Sequence, residues 1–220
     1  MRSYNEYCAI AKSLDVVGDR WALLIVRELA LRGACRYTDL RNGLPGIASN
    51  LLAERLRELE RAGVIAREDA PPPIATTLFR LTPRGEELEP VLDELFRWGL
   101  PLMSEQKPDD AVRSHWLAGA LEVMLADRQP DASPVTLELQ TGDQPIVIEA
   151  RDGAIHSRTG PVENPDATLA GPPKPILGLL LGRLELADAK ADGVSYQGDT
   201  RILERIGADT TGVVESHARG

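Results

Sequence analysis

The sequence predicts an α+β protein made of two successive units. Residues 1–107 carry apolar residues mainly at helical spacing. Further along the chain the apolar residues recur at every second position, as in a strand. Val135, Leu137 and Leu139, for example, alternate with polar residues. The charge changes as well: residues 1–107 hold 15 Lys+Arg and 16 Asp+Glu, whereas residues 108–220 hold 10 and 18. We therefore predict one domain over 1–107 and a second over 108–220. The predicted hinge is Lys107-Pro108-Asp109-Asp110.

Composition narrows the possible classes of function. The longest apolar run, Ile176 to Leu181, is far below the ~18 residues of a membrane span. The N-terminal segment lacks the apolar stretch of a secretion signal, so we expect a cytoplasmic protein. Two cysteines and three histidines provide neither a disulfide framework nor a metal-ligand cluster. Since no nucleophile–base pair or phosphate-binding glycine loop is recognisable, we predict no enzyme activity, metal or cofactor.

Residues 37–82 contain the pattern on which the functional prediction depends. The predicted elements are, in order, a short helix (Thr38–Asn42), a turn (Gly43 to Gly46), a longer helix (Asn50–Ala62) and two strands (Val64–Glu68 and Thr77–Thr82). The loop between the strands contains Ala70-Pro71-Pro72-Pro73, which cannot be helical and suits an exposed hairpin tip. This order of elements is typical of a winged helix-turn-helix, a fold that binds DNA.

The longer helix has two distinct sides. Leu52, Leu56 and Leu59 form an apolar side, and Asn and Arg lie opposite. Arg can read guanine and Asn can read adenine, while other arginines contact phosphates. We expect DNA contacts from Arg36, Tyr37, Arg41, Ser49, Asn50, Ala53, Glu54, Arg55, Arg57, Arg61, Thr76, Thr77 and Arg80. The alternative is a solvated face of neighbouring charges, and the adjacent hairpin favours DNA binding over it.

Several short motifs follow one another along residues 4–104. They are an early Cys8, Gly18-Asp19-Arg20-Trp21, Tyr37-Thr38-Asp39-Leu40, Arg55 to Glu60, and Leu81 to Gly85. In this order they resemble the HxlR-type winged-helix regulators, relatives of the MarR group. The resemblance implies a homodimer that binds palindromic operator DNA through Ser49–Arg61. It also implies that the N-terminal helix and the helices after the wing form the dimer contact.

Cys8 corresponds to the early cysteine that senses oxidants or electrophiles in some members of this family. Such sensing needs a lowered thiol pKa and access to solvent. The alternative is a small, buried packing residue.

A predicted helix from Pro83 to about Trp98 carries more apolar surface than a small domain needs. Its apolar residues are Leu88, Val91, Leu92, Leu95 and Phe96. This excess favours a partner helix.

The second unit is predicted to be a layer of antiparallel strands with helices. The predicted helices span Ala111–Arg128, Pro172–Gly182, Leu184–Ala191 and Thr200–Ile206. The predicted strands lie at Val135–Gln140, Ile146–Ile148, Ala154–Arg158, Ala167–Ala170 and Val194–Tyr196, with a turn at Asp152-Gly153.

Within this unit, Asp166 to Gly171, Pro175 to Asp199 and Arg201 to Ile206 form a pattern of small and apolar residues. Over about 120–207 the pattern resembles sterol-carrier-protein-2-like (SCP2-like) domains, in which a sheet packed with helices encloses an apolar tunnel. The resemblance implies a pocket for a small apolar effector. The candidate pocket residues are Trp116, Leu121, Leu137, Ile148, Leu177, Leu180, Leu181 and Leu184. Alternatively, Leu177, Leu179, Leu180, Leu181 and Leu184 are ordinary core.

Together these patterns predict a DNA-binding transcriptional regulator. The expected form is a homodimeric repressor whose second domain binds a small apolar effector, with double-stranded operator DNA as its main partner. The alternative is a small-molecule carrier or sequestering protein whose helix-turn-helix serves protein contacts.

Overall fold

The computed structural model describes residues 3–69, 76–103 and 110–208. The chain divides into two compact units, Met1–Ala111 and Val112–Gly220. Each unit has its own hydrophobic core. Residues 70–73 of the predicted hairpin tip and 107–109 of the predicted hinge lie outside the described residues.

The first unit combines helices with a small sheet. Its first four helices are α1 (Ala9–Val17), α2 (Ala22–Arg32), α3 (Tyr37–Gly43) and α4 (Ser49–Arg61). Its strands are β1 (Cys35–Arg36), β2 (Ile65–Asp69) and β3 (Thr77–Leu81). They pair antiparallel in the order β1-β3-β2. The two-residue β1 was not predicted, because so short a strand has no period to detect.

The core of the first unit forms around the apolar side of α4. Leu52, Leu56 and Leu59 are buried as predicted, and they join a cluster contributed by α2, α3 and the sheet. Burying such side chains supplies most of the stability of short helices. Gly43 ends α3 against the buried carboxylate of Glu28, and any side chain at position 43 would collide with that carboxylate. A side chain at position 43 would therefore require the Glu28 carboxylate to move.

Two helices follow the wing, where one was predicted. They are α5 (Pro83–Glu86) and α6 (Glu89–Gly99), and a 3₁₀ turn follows at Leu100–Met103. The prediction of one helix was wrong because Pro90 has no N–H to donate, and its ring excludes the carbonyl of Glu86. A new helix can start there, since proline is tolerated in a first turn.

The second unit is built on a mixed sheet. Its five main strands are β5 (Val135–Gln140), β6 (Ile146–Arg151), β7 (Ala154–Thr159), β8 (Ala167–Ala170) and β9 (Ser195–Gly198). Their order in the sheet is β7-β6-β5-β8-β9. The expectation of antiparallel strands was wrong for one pair, because β5 and β8 run parallel. The predicted turn at Asp152-Gly153 is present, with positive φ at both residues.

The remaining elements of the second unit are α7 (Ser114–Met124), β4 (Leu125–Asp127), α8 (Pro173–Leu180), α9 (Leu186–Ala191), α10 (Arg201–Arg205) and β10 (Ile206–Ala208). The predicted helices 111–128 and 200–206 were both too long. Leu125–Asp127 form β4 instead, and Ile206 is the first residue of β10, which pairs with β4. Such pairing over a long sequence separation leaves no local signal.

A buried ion pair fixes α10 against β4. The Arg205 guanidinium donates to both carboxylate oxygens of Asp127, at 2.7 and 2.9 Å, and also to the Ala150 carbonyl. Both side chains are almost completely buried. The hydrogen bonds from Arg205 hold the pKa of Asp127 below its ordinary value.

Candidate nucleic-acid interface

The start of α4 is fixed by a hydrogen bond from α3. The Tyr37 hydroxyl donates to the Ser49 carbonyl at 2.6 Å. At the start of α3, the Asp39 carboxylate accepts from the Arg36 backbone N–H at 2.9 Å. The two helices of the helix-turn-helix are thus tied together at their N-terminal ends. Tyr37 therefore has a positioning role as well as a place at the expected interface.

The outer side of α4 is polar and accessible. Among the residues expected to contact DNA, the exposed ones are Arg36, Arg41, Ser49, Asn50, Glu54, Arg57, Arg61 and Arg80. The partly buried ones are Tyr37, Ala53, Arg55, Thr76 and Thr77. Arg41, Arg57 and Arg61 form no ion pair with any residue that the structure describes. Their charges are therefore available to an anionic partner.

Arg55 differs from this expectation. Its side chain is only 14% exposed, and it forms ion pairs with Glu58, Glu54 and Asp19. Asp19, which lies in the turn between α1 and α2, also accepts from the Trp21 backbone N–H at 3.0 Å. Arg55 therefore ties α4 to that turn, and its contact with DNA stays a prediction. Helical spacing placed it at the flank of the helix but could not show which way the side chain turns.

The described part of the wing carries arginines on both of its faces. In the β2–β3 pairing Arg67 lies opposite Phe79, whereas Arg80 lies opposite Ala66. Because side chains alternate along a strand, Arg67 faces α4 and Arg80 faces away. Arg80 lies 3.3 Å from Glu68. The Thr77 hydroxyl donates to Asp69 at 3.0 Å, so this hydroxyl is already engaged within the hairpin.

Arg67 was absent from the sequence-based set of DNA contacts. It borders a groove of about 230 Å³ between α4 and the wing. The groove is lined by Tyr37, Ala53, Leu56, Arg57, Glu60, Arg67 and Phe79. The alternation of buried and exposed residues along the two strands could have identified Arg67, because its partner Phe79 is a core residue.

Exposed apolar side chains lie on and beside α1 and α6, outside the helix-turn-helix. On α1, Ile10 is 72% exposed, and on α6, Trp98 is 74% exposed. The other exposed apolar residues of these segments are Tyr7, Leu14, Val91, Leu95, Leu102 and Met103. Where several such side chains adjoin one another, they usually mark a surface that contacts another molecule.

The two cysteines have opposite environments. Cys8 is exposed and precedes α1, where the backbone N–H groups of Ala11 and Ile10 lower its thiol pKa. Cys8 is therefore not buried within its own chain. Cys35 is buried, and burial raises its thiol pKa. Accessibility and a lowered pKa are the two properties that thiol sensing needs.

The residues expected to line an effector pocket lie in or beside the core of the second unit. Leu121, Leu137, Ile148 and Leu180 are buried in that core, and Leu177 and Leu181 pack against it, partly buried. Leu184 is partly buried above Gly178. Trp116 is partly buried and stacks edge-on against His115.

Within the described ranges, no helix is long and apolar enough to span a membrane. The same ranges hold no cluster of three or more His, Cys, Asp or Glu side chains suited to a metal ion.

The fold and the polar side of α4 define the first unit as a winged helix-turn-helix. A model of the HxlR-like helix-turn-helix family matches residues 16–107. The uncharacterized HTH-type transcriptional regulator YvaP of Bacillus subtilis strain 168 is 37% identical over 95 residues, which cover 43% of this chain and 87% of YvaP. The uncharacterized HTH-type transcriptional regulator YdeP of the same strain is 36% identical over 97 residues, covering 43% of this chain and 73% of YdeP.

Among solved structures, the reduced form of the transcriptional regulator YodB from B. subtilis is 28% identical, with a TM-score of 0.40. The match covers 46% of this chain and 100% of that chain. The chain belongs to the HxlR-like helix-turn-helix family. The resemblance inferred from the motifs is thus confirmed for the family, whose similar members are transcriptional regulators.

Proposed function

We propose that this protein is a homodimeric transcriptional repressor that binds operator DNA through α4. The observation that carries the proposal is the outer side of α4, where accessible polar side chains lie over a fully buried apolar side. Arg57 and Arg61 on α4 supply positive charge together with Arg41 on α3, and Asn50 lies in the first turn of α4. This arrangement suits a helix in the major groove, with Asn reading adenine and arginines contacting guanine or phosphate.

A second copy of the chain is the proposed occupant of the exposed apolar surface on α1 and α6. Both segments belong to the first unit, and both carry large apolar side chains that are accessible. A twofold dimer would present two α4 helices to successive major grooves about 34 Å apart. That spacing would match the palindromic operators implied by the family resemblance.

The proposed role of the second unit is to bind a small apolar effector in an SCP2-like domain. A mixed five-stranded sheet and a core rich in leucine and isoleucine support this role. Leu177, Leu179 and Leu181 are only partly buried at the edge of that core, where an apolar molecule could cover them. Such a ligand would change DNA occupancy only by its differential affinity for the DNA-binding state. Mass spectrometry of the purified protein under native conditions would reveal a retained ligand.

The decisive experiment is a mobility shift on DNA from upstream of the protein's own coding region. We expect a sequence-preferring shift that weakens steeply as salt increases, because arginines release counterions from phosphates. Unrelated duplex DNA of the same length is the control. If no sequence preference is seen at any salt concentration, the function is better described as a carrier or sequestering protein.

A further inference from the structure

We propose that the groove between α4 and the wing binds a phosphodiester group of the DNA backbone, with Arg57 and Arg67 as its cations and Glu60 as a competing anion. This proposal rests on the proposed DNA-binding function and adds to it a site that the sequence did not indicate. It assigns Arg67 to the interface and gives Glu60 the opposite effect on binding.

The shape of the groove follows from the register of the wing. Because Arg67 is paired with Phe79 across the hairpin, both side chains face α4. Leu56 and Phe79 form an apolar floor, and Arg57 and Glu60 follow one another along the same side of α4. The groove therefore has a rigid apolar base and charged groups at its rim. One of its walls is Tyr37, whose hydroxyl is already engaged with the start of α4.

The charges at the rim differ in how firmly they are held. Arg57 is exposed and forms no ion pair within the described parts of the chain. Arg67 and Glu60 approach each other at 3.5 Å through two atom pairs. Their side chains remain 54% and 34% exposed. An exposed pair at this distance is weak, because water competes for both groups.

A phosphate can replace Glu60 as the partner of Arg67. The guanidinium fork forms shorter, bidentate hydrogen bonds with phosphate oxygens, and Arg57 adds a second cation nearby. Glu60 then remains beside the bound phosphate as a like charge. Binding to DNA must therefore break the Arg67–Glu60 ion pair and bring a phosphate close to the Glu60 carboxylate. For both reasons Glu60 lowers the affinity for any duplex, whatever its sequence.

The test uses the full-length protein and a fluorescein-labelled duplex of mixed sequence, because a backbone site requires no particular operator. Binding is measured by anisotropy over a range of salt for the wild type, Arg67→Ala, Glu60→Gln and the double variant. We expect Arg67→Ala to weaken binding roughly fivefold at low salt and to reduce the salt slope by about 0.9, the value for one lost phosphate contact. Glu60→Gln should tighten binding roughly threefold, a gain that misfolding cannot produce.

The double variant tests whether the two residues act together. Because Glu60 both pairs with Arg67 and lies as a like charge beside the phosphate, Glu60→Gln should lose part of its gain when Arg67 is already alanine. A gain that is undiminished in the double variant would contradict the competition for Arg67. Arg151→Ala and Glu149→Gln are matched controls, because these residues form a similar exposed pair, at 3.9 Å, on β6 of the second unit. The controls make the same changes of net charge and should leave affinity and salt slope unchanged.

The outcomes separate the two proposals. If the wild type binds the mixed duplex but Arg67→Ala keeps its affinity and slope, the groove site is wrong and DNA binding stands. The groove site is also wrong if Glu60→Gln gains no more than Glu149→Gln. If the wild type binds neither the mixed duplex nor its own upstream DNA at any salt, both proposals fail.

Discussion

Arginine side chains on α4 differ in their contacts, and the contacts assign them different roles. Arg55 turns toward Asp19 and the buried Glu58, whereas Arg57 is exposed and forms no ion pair with the described residues. Although they are only two positions apart on α4, Arg55 holds the helix in place and Arg57 is accessible to a ligand. Identical residue types in one motif therefore need separate tests.

Alanine substitutions at these two arginines should have opposite signatures. Arg55→Ala should lower the free energy of unfolding by about 2 kcal/mol, because it removes the charged partner of a buried carboxylate. Arg57→Ala should leave thermal stability unchanged and weaken DNA binding severalfold, with a smaller salt slope. Denaturant unfolding and anisotropy titrations measure both quantities. Equal loss of stability in the two variants would contradict the assigned roles.

Cys8 should react faster with iodoacetamide than an ordinary exposed thiol near neutral pH. Backbone N–H groups at the start of α1 stabilise the thiolate, so the lowered pKa moves the rate increase to lower pH. Cys35, being buried with a raised pKa, should react only on unfolding. The pH dependence of alkylation in Cys35→Ala and Cys8→Ala proteins measures each thiol alone.

A role for Cys8 in sensing is a further proposal. It requires that diamide or peroxide alter DNA binding through this thiol. If Cys8→Ala keeps the full response to both oxidants, Cys8 is not the sensor.

At the scale of elements, the sequence predicted the helices and strands that have a periodic pattern of apolar residues. It missed the short strands whose partners lie far along the chain. The amphipathic α4 and the wing strands carry a local period, and they lie within one or two residues of the predicted bounds. The short strands β1, β4 and β10 are set by partners far along the chain. The inward turn of Arg55 also depends on tertiary packing, so helical spacing alone did not indicate it. Strand alternation, by contrast, could have placed Arg67 on the face toward α4.

The Arg205–Asp127 pair should dominate the stability of the second unit. Arg205→Ala should lower the free energy of unfolding by about 3–5 kcal/mol. It removes the charged partner of the buried Asp127 carboxylate and a hydrogen-bond donor to the Ala150 carbonyl. Arg201→Ala, on the same helix but in an exposed pair with Asp199, is the matched control and should change little. Denaturant unfolding of both variants tests this difference.

The same pair should make the second unit sensitive to acid. The pKa of Asp127 is depressed in the folded state, so its contribution is fully present above the pKa of the unfolded chain. That contribution is lost as pH falls through the folded pKa. In the Arg205→Ala variant, the free energy of unfolding should therefore fall less as the pH is lowered. If its pH dependence equals that of the wild type, the Arg205–Asp127 pair is not the cause of the acid sensitivity.

At the scale of the whole molecule, exposed apolar surface is distributed unevenly. The first unit exposes Ile10, Trp98 and Leu102, whereas Val112 is the one large apolar side chain clearly exposed among described residues of the second unit. Self-association is therefore expected to reside in the first unit. The acidic charge is concentrated in residues 108–220, which should keep that part of the chain from binding DNA non-specifically.

If the proposed dimer forms, Trp98→Glu should convert it into a monomer at micromolar concentrations, because a charge would be placed in the proposed contact. Affinity for DNA with two half-sites should fall more than affinity for mixed-sequence DNA. Sedimentation velocity gives the association state, and Glu94→Gln on the same helix is the control. A wild type that is monomeric, or a Trp98→Glu protein that stays dimeric, would remove α6 from the dimer contact.

The two separate cores have a consequence for heat denaturation. Since no buried residue of one cluster belongs to the other, each unit can lose its packing on its own, and a calorimetric trace should show two transitions. A molecule bound to one folded unit raises the melting temperature of that unit. Duplex DNA should therefore raise the melting temperature of the first unit, and an apolar effector should raise that of the second. Calorimetric scans with each ligand would show which unit it binds.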